Sequence, residues 1–127
     1  MAEIWLIEDD ENLAKLTQIA LGKQGYQVIV FHEAHYAVEL AKTQKPDLIL
    51  MDVMLPDATG PEALKSIKKD PKFQSVPVIF LTALLSKEES ALGLTVDNVN
   101  YRTLGKPYEI EWLMEMVERL LVYKDGK

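Results

Sequence analysis

The sequence is 127 residues long, 48% apolar and formally −6 in charge, which allows one domain with a sizeable core and argues against the basic surface that nucleic acid requires. It has no cysteine, so disulfides and thiol catalysis are excluded and a reducing, cytoplasmic compartment is the expected location. Neither a basic, cleavable leader at Met1-Ala2-Glu3-Ile4-Trp5 nor an apolar run of the roughly 20 residues a membrane span needs is present, so no secretory signal or membrane segment is expected.

Ile4-Trp5-Leu6-Ile7 is a short apolar run ending abruptly at Glu8-Asp9-Asp10, the pattern of a strand buried on both faces with polar residues at its C-terminal end. Trp5 reads as a core residue and Asp10 as the cap of the following helix. Over 11–24, Leu13, Leu16, Ala20 and Leu21 follow helical spacing, and Gly25 is placed to stop the helix. Val28-Ile29-Val30-Phe31 is a second strand, followed by a helix over about 33–43 that Lys45-Pro46-Asp47 breaks. The two histidines, His32 and His35, read as surface residues rather than ligands. Leu48-Ile49-Leu50-Met51 is a third buried strand ending at Asp52, and the loop 55–60 leads into a helix carrying Ala63, Leu64 and Ile67. A fourth strand covers 76–81 and ends at Thr82, with Pro77 at its start. A weaker helical stretch over 87–94, an irregular stretch over 95–102 and a short fifth strand at 101–104 precede Lys106-Pro107. The last helix covers about 109–123.

Strands alternating with helices at this spacing predict one α/β domain over 1–127, with right-handed crossovers and a parallel sheet covered on both faces. Five such units suggest the flavodoxin-like strand order 2-1-3-4-5, a three-layer α/β/α sandwich whose ligands collect at the C-terminal strand ends. Glu8 and Asp9 end the first strand, Asp52 the third and Thr82 the fourth, while Lys106 follows the fifth. Any one acidic residue at a strand end is ordinarily a cap or a loop residue. The set of five, Glu8, Asp9, Asp52, Thr82 and Lys106, at one sheet edge is a far more specific pattern. Three carboxylates together repel one another unless a cation joins them, and magnesium suits a few carboxylate oxygens plus water. Asp52 is then the natural nucleophile, able to form an acyl phosphate, with Lys106 and the Thr82 hydroxyl placed to receive phosphoryl oxygens and the small Ala83 leaving access.

Leu6-Ile7-Glu8-Asp9-Asp10, the segment from Met51 through Asp52 to Gly60, Phe80-Leu81-Thr82-Ala83 and Gly105-Lys106-Pro107 together resemble the receiver domain of bacterial response regulators over essentially the whole chain. The resemblance implies that Asp52 accepts the phosphoryl group and that Asp9 binds Mg2+ directly, with Glu8 acting through water. It further implies the Met54 carbonyl as a metal ligand, Thr82 and Lys106 as phosphoryl contacts, and a cis Lys106-Pro107 bond. The implied donor is a histidine kinase or a histidine phosphotransfer protein. Such a protein phosphorylates itself and is not a turnover enzyme on an external substrate. A phosphorylation-independent pseudo-receiver ordinarily lacks a central acidic residue or the lysine, and both are present. A haloacid-dehalogenase-like phosphohydrolase would carry its nucleophile after the first strand, and a carboxylate cluster is a poor cradle for a flavin phosphate.

Two departures from the family pattern concern the switch. Thr103 stands three residues before the lysine, where an aromatic residue is usual, and the nearest aromatic is Tyr101. Thr82 and Lys106 are also about two residues further apart than usual. Met54 and Leu84, two residues beyond Asp52 and Thr82, cannot orient an attacking water, so slow self-dephosphorylation is expected. On the last helix Ile110, Leu113, Met114, Val117 and Leu121 form a core stripe, and Trp112, Met116 and Tyr123 widen it through Leu120. That second face is either covered by the irregular loop or a surface for a homodimer or a downstream protein partner. With no further domain in this chain, output is expected through protein contact.

Overall fold

The computed structural model describes residues 2–83 and 93–124. In chain order the elements are β1 (Glu3–Ile7), α1 (Glu11–Lys23), β2 (Gln27–Phe31), α2 (Ala34–Leu40), β3 (Leu48–Asp52), α3 (Gly60–Lys68), a 3-10 turn (Pro71–Phe73), β4 (Val78–Thr82), β5 (Leu94–Val96), β6 (Val99–Gly105) and α4 (Ile110–Lys124). The sheet order is β2-β1-β3-β4-β6-β5. All neighbours are parallel except the antiparallel pair β5–β6. The flavodoxin-like α/β fold is therefore as expected, with a sixth strand added at one edge.

Alternation along the strands sends side chains to two cores. Ile4 and Leu6 join Leu48, Leu50, Ile79 and Leu81 beneath α1 and α4, while Trp5 and Ile7 join Ile49, Met51 and Phe80 beneath α2 and α3. Trp5 is fully buried, stacks against Phe31 and Phe73, and donates its indole N–H to Glu3 at 3.0 Å. Because both sheet faces are covered, the strands read as continuous apolar runs rather than alternating ones.

Local chemistry sets the helix ends. Asp10 caps α1 by accepting the Leu13 N–H at 3.0 Å. Gly25 leaves the helix at φ +93°, with Gly25 N–H on Gly22 and Tyr26 N–H on Leu21, a Schellman closure. Thr59 and Glu62 form a reciprocal capping box at the start of α3. Helix α2 is shorter than the 33–43 expected, because the chain after Leu40 continues as single hydrogen-bonded turns to Gln44. Strand β4 begins at Val78 rather than 76, since Pro77 has no N–H to give the ladder.

The stretch read as irregular is a β-hairpin. Asp97 and Asn98 both have positive φ, 50° and 67°, which a two-residue turn needs to match the strand twist. Leu94, expected to close a helix, begins β5, and the strand expected over 101–104 is the seven-residue β6. Gly93, also expected in that helix, has a positive φ of 74°, and 87–92 lie outside the described residues. No helix among the described residues is long and apolar enough to cross a membrane.

Candidate functional site

The parallel register brings the strand ends level. Ile7 pairs with Met51, Asp52 with Leu81, and Thr82 with Gly105. The residues just past these ends therefore meet at one edge of the sheet. Carboxylate oxygens of Glu8, Asp9 and Asp52 all lie within 4.8 Å of one another. Glu8 is fully buried and Asp52 nearly so, while Asp9 is exposed. Lys106 reaches in from the β6–α4 turn, its Nζ 2.7 Å from Asp52 Oδ2 and 2.5 Å from Glu8 Oε1.

The lysine turn is fixed by its backbone. Lys106 N–H donates to the Thr82 carbonyl at 2.7 Å, and the Lys106-Pro107 bond is cis, as the resemblance implied. Thr82 itself is buried at the end of β4. On the other side of Asp52, Met54 donates its N–H to Asp52 Oδ1 at 3.2 Å, while its side chain is 58% exposed. The loop beyond is closed by Leu55 N–H on Ala58 and by Gly60 N–H on Val53 at 2.7 Å. Gly60 is required at that position, because a Cβ there would lie 2.5 Å from the Asp52 carbonyl oxygen and 3.1 Å from the Phe80 ring.

The electrostatics follow from burial and charge count. Burial pushes the Glu8 carboxyl up, Lys106 and the Asp10 N–H act against this, and Asp52 pushes it further up, leaving it at about 7. Burial would lower the Lys106 ammonium, but Asp52 and Glu8 outweigh it and hold the group above its ordinary value. Glu8 Oε2 accepts the Asp10 N–H at 3.1 Å. Glu8 Oε1 is buried against the Lys106 ammonium, and this ion pair is its one polar contact among the described residues. Three carboxylates beside one ammonium, with all-oxygen donors, suit a hard divalent cation.

Several neighbours were not legible as site-supporting residues in the sequence. Asp57, in the loop after Asp52, accepts the N–H groups of Ala34 and His35 at 2.8 and 2.9 Å and pairs with His35 Nδ1 at 2.8 Å. Its slight burial would raise its pKa, but the Ala34 N–H and the His35 contacts lower it to about 2. Glu33 adds a third possible ligand atom to this second cluster, whose hydrogen bonds are accounted for by capping of α2. His32 is exposed, and its Nδ1 lies 2.9 Å from the Glu8 carbonyl. Tyr108, two residues beyond Lys106, shares a 2.8 Å hydrogen bond with the buried Thr17 of α1. Neither Asp57 nor Tyr108 stands at a strand end, so the pattern that singled out the other residues passes over them.

The switch residues sit as their sequence positions imply. Thr103 is buried and pairs with Phe80 in the β4–β6 register. Tyr101, two residues earlier and so on the same face, meets the Phe80 ring edge-on at 5.7 Å. The aromatic contact is thus displaced one strand repeat away from Thr82. On α4, Leu113 and Val117 are fully buried and Leu121 nearly so, whereas Trp112 is 45% exposed. Trp112 and Met116 line a groove of about 320 Å³ with Arg102, Leu104, Glu115 and Arg119. Leu84 and the Tyr123 side chain lie outside the described residues.

Comparison with known proteins places these features in a family. The model of the response regulator receiver domain matches residues 4–118. The transcriptional regulatory protein YkoG of Bacillus subtilis is 35% identical over 93% of this chain and 50% of its own length. The alkaline phosphatase synthesis transcriptional regulatory protein PhoP of the same organism is 33% identical, over 94% and 48% respectively. The receiver domain of the Francisella response regulator 1452 superposes with a TM-score of 0.82 at 28% identity, covering the whole of both chains. The chain spans about half the length of the curated relatives it matches, and regulation of transcription is a property named for those longer proteins.

Proposed function

On the premise that this chain belongs to the response-regulator receiver family, as its family-model match shows, we propose that it is a phosphoacceptor receiver that takes a phosphoryl group on Asp52 from a histidine kinase or a histidine phosphotransfer protein. The observation that carries this reading is the placement of Lys106 Nζ against both Asp52 and Glu8, at the edge where the carboxylates of Glu8, Asp9 and Asp52 converge.

Asp52 is already oriented for attack, one oxygen held by the Met54 N–H and the other by Lys106. A carboxylate oxygen of Asp52 attacks the phosphorus of a phosphohistidine, the phosphorus–nitrogen bond breaks, and its electron pair returns to the imidazole of the donor. Lys106 then exchanges its contact with Asp52 for one with a phosphoryl oxygen, and the Thr82 hydroxyl donates to another. Asp9, Asp52 and the Met54 carbonyl, with Glu8 acting through water, would hold a magnesium ion, which supplies positive charge to offset that of the transferring group. The low exposure of Glu8, Asp52 and Thr82 keeps bulk water from screening these contacts.

Output is proposed to pass by protein contact through the exposed side of α4, at Trp112 and Met116 and, by sequence, Tyr123. The receiving surface is either a second copy of the chain or a downstream partner. The chemistry is tested by incubating the protein with acetyl phosphate and magnesium and reading intact mass. Wild type gains one phosphoryl group and Asp52→Asn gains none. An unmodified wild type would instead mark a phosphorylation-independent module.

A further inference from the structure

Lys106 must be held between two buried carboxylates, yet it stands in a turn. Upstream, the turn is fixed by β6 and by the Lys106 N–H on the Thr82 carbonyl at 2.7 Å. Downstream, no regular element begins until Ile110. The only long-range side-chain hydrogen bond described for 107–109 is the 2.8 Å bond between the Tyr108 and Thr17 hydroxyls. Thr17 is fully buried in the middle of α1, and Tyr108 packs against the core formed by Ile4, Leu6 and Leu81.

Packing alone does not account for this pair. A β-branched residue in a helix interior is a weaker helix former than alanine or leucine. Burying two hydroxyls also gains little net stability over two apolar groups of similar shape. What the pair does provide is direction. Helix α1 is tied at its N-terminus to the acidic side of the site, because Asp10 caps it and gives its own N–H to Glu8. Two turns later the same helix holds the lysine turn through Thr17.

We propose that Tyr108 is a positioning residue for phosphoryl transfer: its hydrogen bond to Thr17 makes α1 the common support that sets Lys106 relative to Glu8, Asp9 and Asp52. This rests on the phosphoacceptor reading above. Tyr108 touches no reacting atom and acts through Lys106. Burial raises the Tyr108 phenol, its bond to Thr17 lowers it, and the charges of Glu8, Lys106 and Asp52 reach it as smaller effects.

The test is a double-mutant cycle on the full chain, with acetyl phosphate as donor. Tyr108→Phe and Thr17→Val each remove the bond while conserving shape, and Thr17→Ser retains the hydroxyl. At saturating Mg2+ each of the first two slows phosphorylation about fivefold, the scale of one lost hydrogen bond. The double variant is no slower than either single one, the half-saturating Mg2+ concentration stays within about twofold, and Thr17→Ser stays near wild type. Rates unchanged in Tyr108→Phe, losses that multiply in the double variant, or a Thr17→Ser rate as low as Thr17→Val overturn the proposal. A wild-type protein that takes no phosphoryl group overturns the underlying reading instead.

Discussion

Glu8 Oε1 lies 2.5 Å from Lys106 Nζ, its one polar contact among the described residues, so the lysine stands where a buried carboxylate most needs positive charge. Lys106 therefore has two duties, as counter-charge to Glu8 and as partner to Asp52 at 2.7 Å. The following consequences can be measured.

Lys106→Ala removes the one ammonium that, among the described residues, pairs with the buried Glu8 and Asp52. Breaking one side of such an arrangement costs about 3 kcal/mol or more. The variant is expected to melt well below wild type in EDTA at pH 8 and to recover part of the difference in millimolar Mg2+, which binds only the folded form. Equal melting temperatures in EDTA would show that the lysine carries no such charge.

The Glu8 carboxyl, raised to about 7, gives the metal-free protein a definite pH dependence. The folded state holds a proton that the unfolded chain has released above its ordinary value of 4.5. Stability contributed by this group is thus present at low pH and is lost as pH rises through about 7. Denaturant titrations in EDTA from pH 5 to 8 should show that decline, and Glu8→Gln should remove it. Because a divalent cation requires the ionised form, Mg2+ affinity should rise over the same interval.

Gly60→Ala places a Cβ 2.5 Å from the Asp52 carbonyl oxygen. The nearest atom is backbone, and the Phe80 ring beside it is fully buried, so neither yields easily. A loss of roughly 1–3 kcal/mol is expected, on the scale of other overpacked sites. Phosphorylation by acetyl phosphate should slow as well, because the Asp52 strand end must shift. A variant as stable and as reactive as wild type would contradict this close approach.

Met54 presents an exposed thioether two residues beyond Asp52, with no group able to orient a hydrolytic water. Once formed, the acyl phosphate is expected to be long-lived, and Met54→Asn should shorten its half-life as followed by intact mass. Faster hydrolysis in wild type than in Met54→Asn would reverse this assignment.

Trp112→Glu alters a residue that is 45% exposed and lines the groove with Leu104 and Met116, so a loss of stability of about 1 kcal/mol is expected, well short of unfolding. If the α4 face is a contact surface, the variant loses self-association in light scattering or capture of its partner while Asp52 is still phosphorylated. Unchanged association on both measurements removes this face from consideration.

The sequence by itself determined the alternation of strands and helices, the parallel frame and the strand ends at which Glu8, Asp9, Asp52 and Thr82 stand. Continuous apolar runs such as Leu48-Ile49-Leu50-Met51 can only be satisfied by burial on both faces, and Asp10, Gly25 and Thr59 act on backbone within a few residues of themselves. Legibility fails where long-range contact decides. The hairpin at Asp97-Asn98 was hidden because short β5 gains its identity by pairing with β6, and 95–102 carries too few apolar residues to announce a strand. Asp57 on the start of α2, Thr17 on Tyr108 and Glu8 Oε1 on Lys106 join residues 22 to 98 positions apart. Only tertiary structure could decide them, because each depends on the distance between two elements, which packing fixes and local sequence does not encode.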